Sequence, residues 1–167
     1  NRRTLRANPC AAYFLASSIN NLFLIYVDNL VIYISTILNV VDSLYNNNVS
    51  CKLFYFIQYV PASLVLWFPV LASIDCFISS SKKVRFRQMS TLSIARRVII
   101  CIYIIFLLLN AHQLIYFQVF SYDYTAYCGF SSPEYLIFFY FFRPIVACFL
   151  PIILMIIFGL DVIVVAQ

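Results

Sequence analysis

The chain has 167 residues, of which 64% are hydrophobic and 10% are charged, and its mean hydropathy is +0.94. Soluble domains are about half apolar and about a quarter charged, and a chain this small cannot bury so much apolar surface in a core of its own. The composition therefore predicts an all-α membrane protein. The net charge of +5 does not indicate nucleic-acid binding, because the aromatic residues lie in the apolar runs and not among the basic residues.

Four apolar stretches reach the length of about 20 residues that a helix needs to cross a bilayer. In chain order they are residues 10–38, 53–79, 98–120 and 135–166. The connections between them are a polar loop at 39–50, a basic loop at 80–97 and a mixed loop at 121–134. The chain has only two glycines, which argues against a strand-and-turn architecture. Residues 1–167 are therefore interpreted as one helical membrane domain.

The basic residues predict the orientation of the chain, because they mark the cytoplasmic side of membrane proteins. Nine of the eleven basic residues lie in two clusters, at 2–6 and 82–97. An even number of crossings separates these clusters, so they share one face. We expect the N-terminal end and the basic loop to be cytoplasmic, and the other two loops to be outside.

This orientation also predicts one disulfide among the six cysteines. Cys51 and Cys128 both lie at the outer face, where disulfides persist, whereas Cys10 and Cys76 lie at cytoplasmic ends, where thiols stay reduced. No CxxC pair or nearby histidine accompanies these cysteines, so we expect no zinc site and no cofactor. Asn48-Val49-Ser50 is a glycosylation sequon on the outer side, but it abuts the membrane surface, where we expect it to stay unused.

The second stretch carries a resemblance to a known family. It runs from Cys51 to Asp75, about 36 Å of helix, and ends in the triplet Asp75-Cys76-Phe77. This arrangement resembles the third helix of rhodopsin-like G protein-coupled receptors, which begins at an outer Cys and ends in Asp-Arg-Tyr or Asp-Arg-Phe. In that family the partner cysteine lies in the second outer loop, at the position of Cys128.

The other stretches extend this resemblance to helices two to five of the seven-helix bundle, so the sequence is expected to be a fragment with four of the seven helices. Asn21 stands where family members usually carry a sodium-binding Asp, which puts a bound sodium ion in doubt. Pro151, in FLPIILMIIF, resembles the proline that bulges the fifth helix. The third stretch departs from the pattern, because it lacks the tryptophan that is usual in the fourth helix.

The resemblance implies an outward-facing ligand cavity lined by Gln58, Tyr59 and Ala62 of the second stretch and by Arg143 of the fourth. Gln58 is neutral where amine receptors carry an Asp, which favours a peptide ligand over an amine. Arg143 is expected either to pair with an anionic group of the ligand or to extend to the outer interface, since intramembrane charges face a protein interior or water.

The resemblance also implies that Asp75, Cys76 and Phe77 face the G protein. Cys76 replaces the arginine that family members use to restrain the resting state and to contact the G protein, so we expect weak or absent coupling. Without that arginine, Asp75 needs another partner. The expected partners are inner-face water or the cations of the basic loop, namely Lys82, Lys83, Arg85 and Arg87.

The chain is thus expected to belong to a plasma-membrane receptor that binds an extracellular ligand, with a neuropeptide favoured, and signals through a heterotrimeric G protein. Enzyme activity is not expected, because His112 is the only histidine and no catalytic set can be assembled around it. Two alternatives stay open. One is a non-signalling, receptor-like or degenerate fragment that acts as an assembly partner, and the other is a four-span transporter or channel subunit.

Overall fold

A computed structural model describes residues 9–37, 47–81, 88, 90–122 and 125–166. Helices make up 83% of the structure, so the predicted class of an all-α membrane protein is confirmed. Within the described ranges, four helical spans are long and apolar enough to cross a membrane. We call them spans 1 to 4, and they are Pro9–Asn29, Asn48–Ser80, Leu92–Tyr116 and Pro133–Leu160.

Each span is built from shorter helices. Span 1 is formed by α1 (Pro9–Ile25) and a π-helical segment (Tyr26–Val31), which α2 (Ile32–Ile37) continues. Span 2 consists of α3 (Asn48–Leu64) and α4 (Trp67–Ser80). Span 3 consists of α5 (Leu92–Asn110) and α6 (Gln113–Tyr116). Span 4 is formed by α7 (Pro133–Pro144), a second π-helical segment (Ile145–Phe149) and α8 (Leu150–Ala166).

Span 2 is divided at Val65 and Leu66, between α3 and α4. Pro61 and Pro69 lie on either side of this division. Neither proline has a backbone N–H, so each removes one helical hydrogen bond and leaves the carbonyl four residues earlier without its usual donor. The two prolines thus account for the division, at the place where the sequence predicted local bends.

Span 4 contains a π-helical bulge directly before Pro151. The Leu150 N–H donates to the carbonyl of Ile145, five residues earlier, instead of to Val146. With the same five-residue spacing, the next donor, for the carbonyl of Val146, would be the backbone nitrogen of Pro151, which carries no hydrogen. Trp67 of span 2 supplies it, because its indole N–H donates to the Val146 carbonyl at 3.0 Å.

The connection between spans 3 and 4 is an antiparallel β-hairpin of β1 (Phe117–Tyr122) and β2 (Thr125–Phe130). Because β1 begins within the third apolar stretch, span 3 ends at Tyr116 instead of near residue 120. The strands are rich in aromatic residues, which favour extended backbone when their rings can pack. Here the Phe117 ring lies 4.7 Å from Tyr55 of span 2, and the Phe130 ring lies 5.1 Å from Phe139 of span 4.

The core lies where spans 2 and 3 meet, and its buried residues are Val60, Leu64, Phe68 and Phe106. The outward faces of the spans stay apolar: Leu22, Leu108 and Phe141 are about two-thirds exposed or more. Such faces are expected to contact lipid. We call the end of the bundle that carries Asn48 and the hairpin the hairpin end, and the opposite end the Asp75 end.

Candidate functional site

The hairpin is attached to span 2 in two ways. Cys51, in the first turn of α3, is joined by a disulfide to Cys128 of β2, and their Cα atoms are 5.9 Å apart. Cys51 is completely buried. In addition, the side-chain oxygen of Asn48 accepts a hydrogen bond from the Val119 N–H at 2.8 Å. A covalent bond and a hydrogen bond therefore fix β1 and β2 to the start of span 2.

Close to this attachment, Tyr59 of span 2 and Arg143 of span 4 are in contact. The Arg143 Cζ lies 4.3 Å from the centroid of the Tyr59 ring, within the range of a cation–π interaction. The Tyr59 ring also packs against Phe139 at 5.2 Å and against Phe117 of the hairpin at 6.2 Å. The Arg143 side chain remains exposed, so the guanidinium rests on an aromatic support and is still open to a further partner.

Tyr59 and Arg143 line a small cavity together with polar residues of span 3. The cavity has a volume of about 10 Å³, enough to hold one water molecule. Gln113 lines it, is 1% exposed and donates from Nε2 to the side-chain oxygen of Asn110 at 2.9 Å. The other side-chain atom of Gln113, Oε1, is buried and has no partner among the described residues. One residue that lines the cavity thus carries a side-chain oxygen with no hydrogen-bond donor among the described residues.

Gln58 contacts span 1 instead of span 4. Its Nε2 donates to Oδ1 of Asp28 at 2.8 Å, and Asp28 lies on the π-helical segment of span 1. Consecutive residues of an α-helix point about 100° apart, which explains why Gln58 and Tyr59 face different neighbours. Ala62 is half-buried and is not among the residues that line the Tyr59–Arg143 cavity. Of the four residues expected at the ligand site, Gln58, Tyr59 and Ala62 are therefore divided between two adjacent faces of α3, and Arg143 of span 4 lies against Tyr59.

Sequence reasoning did not assign Asp28 to this site, although a signal was present. An acidic side chain inside an apolar stretch is energetically costly and points to a polar partner or water. Its partner, Gln58, lies 30 residues along the chain. Only the rotation of spans 1 and 2 about their axes brings the two side chains together, and apolar patterning alone does not specify that rotation.

In the middle of the bundle, Asn20 forms buried hydrogen bonds. The residue expected at the position of the family's sodium site is its neighbour, Asn21. Asn20 is 2% exposed, donates from Nδ2 to the Pro61 carbonyl at 3.0 Å and accepts from the Tyr103 hydroxyl at 3.0 Å. Asn21 keeps a buried side-chain oxygen that has no partner among the described residues. Among all the residues that the structure describes, no group of three or more His, Cys, Asp or Glu side chains could hold a metal ion.

At the Asp75 end, a hydroxyl holds the carboxylate. Asp75 is 9% exposed, and the Ser90 hydroxyl lies 3.0 Å from each of its two oxygens. The cations that were expected to pair with Asp75 lie between residues 82 and 87, outside the described residues. Ser90 was missed because a small neutral side chain in a loop gives no sequence signal for such a contact.

The other two residues of the triplet face different spans. The Cys76 sulfur lies 3.3 Å from the sulfur of Cys10, in the first turn of α1. The Phe77 ring packs against Phe158 of span 4, with 5.8 Å between the ring centroids. Span 2 therefore contacts spans 1 and 4 at this end, and the contact between the two thiols was not anticipated from the sequence.

His112 packs among aromatic rings. Its ring lies within 6 Å of three aromatic rings, those of Tyr135, Phe138 and Phe142. Its Nδ1 is 2.6 Å from the Leu109 carbonyl, one turn earlier in span 3. These contacts place His112 at the junction of spans 3 and 4 as a packing residue.

Comparison with protein-family models and with curated protein sequences finds no match to this chain. The functional conclusion must therefore be drawn from the contacts and charges described above.

Proposed function

We propose that this chain forms helices two to five of a rhodopsin-like G protein-coupled receptor, which binds an extracellular peptide at the plasma membrane and signals through a heterotrimeric G protein. The observation that carries the proposal is the disulfide between Cys51 and Cys128. It ties the start of span 2 to the connection between spans 3 and 4, as the resemblance implies. It also holds Phe117 of the hairpin against Tyr59, beside Arg143.

The chemistry of the hairpin end supports a peptide as the ligand. The exposed Arg143 guanidinium can bind a carboxylate through two parallel hydrogen bonds. Asp28 supplies the opposite charge, and Gln58 orients its carboxylate by donating to one oxygen. A peptide carries anionic, cationic and amide groups on one molecule, whereas a simple amine could use only the acidic part of this site.

The test is a binding experiment on the complete receptor, with a peptide found by screening a library for binding. We expect Arg143→Ala to lower the affinity of a peptide that carries a carboxylate by about 10-fold or more, because a hydrogen bond to a charged group contributes about 1.5–3 kcal/mol. Arg143→Lys is the matched control, since it keeps the charge but loses the planar donor pair. An unchanged affinity at normal surface expression would mean that Arg143 only extends to the interface.

A second candidate, a receptor-like protein that does not signal, is favoured by Cys76 in place of the family's arginine. If this substitution limits coupling, Cys76→Arg should raise ligand-stimulated nucleotide exchange at matched surface expression. Equal exchange by the Cys76 and Arg forms would show that activation does not depend on this position. Nucleotide exchange measured with the bound peptide separates the two candidates, because a non-signalling protein binds its peptide without stimulating exchange.

A further inference from the structure

We propose that Cys10 and Cys76 form a redox-active dithiol site at the Asp75 end of spans 1 and 2, which an oxidant of the peroxide class converts into an intramolecular disulfide. The two sulfur atoms are 3.3 Å apart although the residues are separated by 66 positions. A disulfide requires about 2.05 Å between its sulfurs. An approach of about 1.3 Å, within reach of small side-chain rotations, would therefore close the bond.

The packing of spans 1 and 2 holds the two thiols together. Tyr13, one turn after Cys10, and Ala72, one turn before Cys76, belong to the same buried cluster and are 4% and 3% exposed. Further along the same pair of spans, the Asn20 side chain donates to the Pro61 carbonyl. The two spans run antiparallel, so these contacts fix their register, and the short distance between the sulfurs follows from it.

The reaction is a two-electron oxidation that balances with hydrogen peroxide. One cysteine gives up its thiol proton and the resulting thiolate attacks a peroxide oxygen; the O–O bond breaks, and the leaving hydroxide takes up a proton, so that a sulfenic acid and one water are formed. The thiol of the second cysteine attacks the sulfenic sulfur, the S–S bond forms, and the sulfenic oxygen leaves as a second water. Two thiols and one peroxide thus give one disulfide and two waters, with both electrons passing from sulfur to oxygen.

The location of the pair suits a reversible site. Cys10 and Cys76 are both half-buried, near the start of α1 and the end of α4, and a small uncharged oxidant can reach them more easily than a bulky reagent can. We expect this end to be cytoplasmic, where thiols are kept reduced and the disulfides that do form are mostly transient and redox-sensing. Exchange with a cellular dithiol would restore both thiols.

The site is tested with the full chain in lipid nanodiscs, treated with hydrogen peroxide, alkylated and digested without reduction. We expect mass spectrometry to find one cross-linked peptide pair that contains Cys10 and Cys76, lighter by two hydrogens and released by dithiothreitol. Cys101 and Cys148, which are exposed on spans 3 and 4, serve as internal references. Separate alkylation of Cys10 and Cys76 after peroxide treatment, or a bond from either one to a second copy of the chain, would overturn the proposal.

Variants separate the pair from general thiol oxidation. In Cys10→Ser and in Cys76→Ser the partner thiol is missing, so the sulfenic acid of the attacking cysteine should accumulate in one of these variants and be trapped by dimedone, whereas Cys148→Ser should behave as the unmodified chain does. A cross-link to Cys76 in the peroxide-treated Cys148→Ser chain but not in Cys10→Ser supports the site. Dimedone labelling that is no stronger in either single variant than in the unmodified chain would contradict it.

A second probe avoids oxidation altogether. Phenylarsine oxide binds two neighbouring thiols at once, so we expect it to protect Cys10 and Cys76 together from alkylation and to be displaced by dithiothreitol but not by 2-mercaptoethanol. Failure to protect the pair would count against the proposal even if a variant misfolds. These experiments need no receptor ligand and no G protein, so their outcome does not depend on the proposed function.

Discussion

Asp75 illustrates how a hydroxyl can hold a buried carboxylate in a membrane protein. The side chain is almost completely buried, and the Ser90 hydroxyl is placed symmetrically between its two oxygens. An unpaired polar group in an apolar environment is costly, and the cost is larger for an ionised one. The hydroxyl therefore has a stabilising role that charge patterning alone would assign to a lysine or an arginine.

This contact leads to a prediction at a single position. Ser90→Ala should lower the free energy of unfolding by about 1–3 kcal/mol, because it leaves the buried Asp75 oxygens without this donor. Thermal unfolding in detergent micelles, followed by circular dichroism, measures the loss. Ser90→Thr, which keeps the hydroxyl, is the control.

A double variant identifies the cause of this effect. In an Asp75→Asn background, Ser90→Ala should cost less, because the buried charge is gone and contacting residues are expected to be coupled. If Ser90→Ala alone leaves the unfolding midpoint unchanged, other groups must hold the carboxylate and Ser90 has no stabilising role.

Among the helices and strands, spans 2 and 4 form a hydrogen bond at a place where both of them are irregular. The bulge before Pro151 leaves the Val146 carbonyl without a donor from its own helix, and Trp67 donates to it from the first residue of α4. The break between Pro61 and Pro69 ends just before this tryptophan. The carbonyl of Val146 in span 4 thus accepts a hydrogen bond from a side chain of span 2. In a regular helix this carbonyl would already accept from the backbone N–H four residues later.

The hydrogen bond between Trp67 and the Val146 carbonyl predicts that substitutions at Trp67 and at Pro151 have coupled effects on the free energy of unfolding. Trp67→Phe keeps an aromatic ring but removes the N–H, so we expect a cost of about 0.5–1.5 kcal/mol, in the range of hydrogen bonds in soluble and membrane proteins. Pro151→Ala restores a backbone N–H that can serve Val146, so the same change should cost less in that background. Helical circular dichroism during thermal unfolding gives both values, and equal costs in the two backgrounds would exclude the coupling.

The disulfide gives a prediction for the hairpin as an element. Replacing Cys51 and Cys128 together by serine should lower stability by about 2–4 kcal/mol, mainly because the unfolded chain is no longer closed into a loop. Hydrogen exchange of β1 and β2 should become faster, while that of span 3 should change little. Cys101→Ser is the matched control, because Cys101 is an exposed cysteine outside the pair. Recovery of Cys51 and Cys128 as separately alkylated peptides without reduction would contradict the prediction.

Hydropathy predicted the four spans, with ends that differ by one to nine residues from those of the structure, because apolar length is a local property of the sequence. Span 2 nevertheless begins at Asn48, since Asn47 caps the helix by accepting from the Val49 N–H, a polar start that apolar counting passes over. The pairing of Cys51 with Cys128 followed from topology. The contacts of Asp28 with Gln58 and of Cys10 with Cys76 depend on how each span is rotated, and in lipid both faces of a span are apolar. The hairpin was missed because its stability comes from ring packing against spans 2 and 4.

For the molecule as a whole, the orientation predicted from the basic residues can be tested with glycosylation. Asp123→Asn creates an acceptor sequon with Thr125, between the two strands, and it should be glycosylated in microsomal membranes if the hairpin end is outside. The native sequon at Asn48 should remain unmodified. Asn48 lies in the first turn of α3, and its side chain already accepts a hydrogen bond from the Val119 N–H of β1. A glycosidase-sensitive mass shift reports both results. An unmodified Asp123→Asn chain would place the hairpin end in the cytoplasm.

The hydrogen bond between Trp67 and Val146 also makes the chain its own spectroscopic probe. Trp67 is the only tryptophan among 167 residues, so all indole fluorescence comes from one point. At that point the indole meets the Val146 carbonyl of span 4, and its ring lies 5.6 Å from Phe106 of span 3. Separation of either neighbour from span 2 would change the polarity around a single emitter. The association of three spans within the bilayer can thus be followed by emission wavelength, without attaching a label.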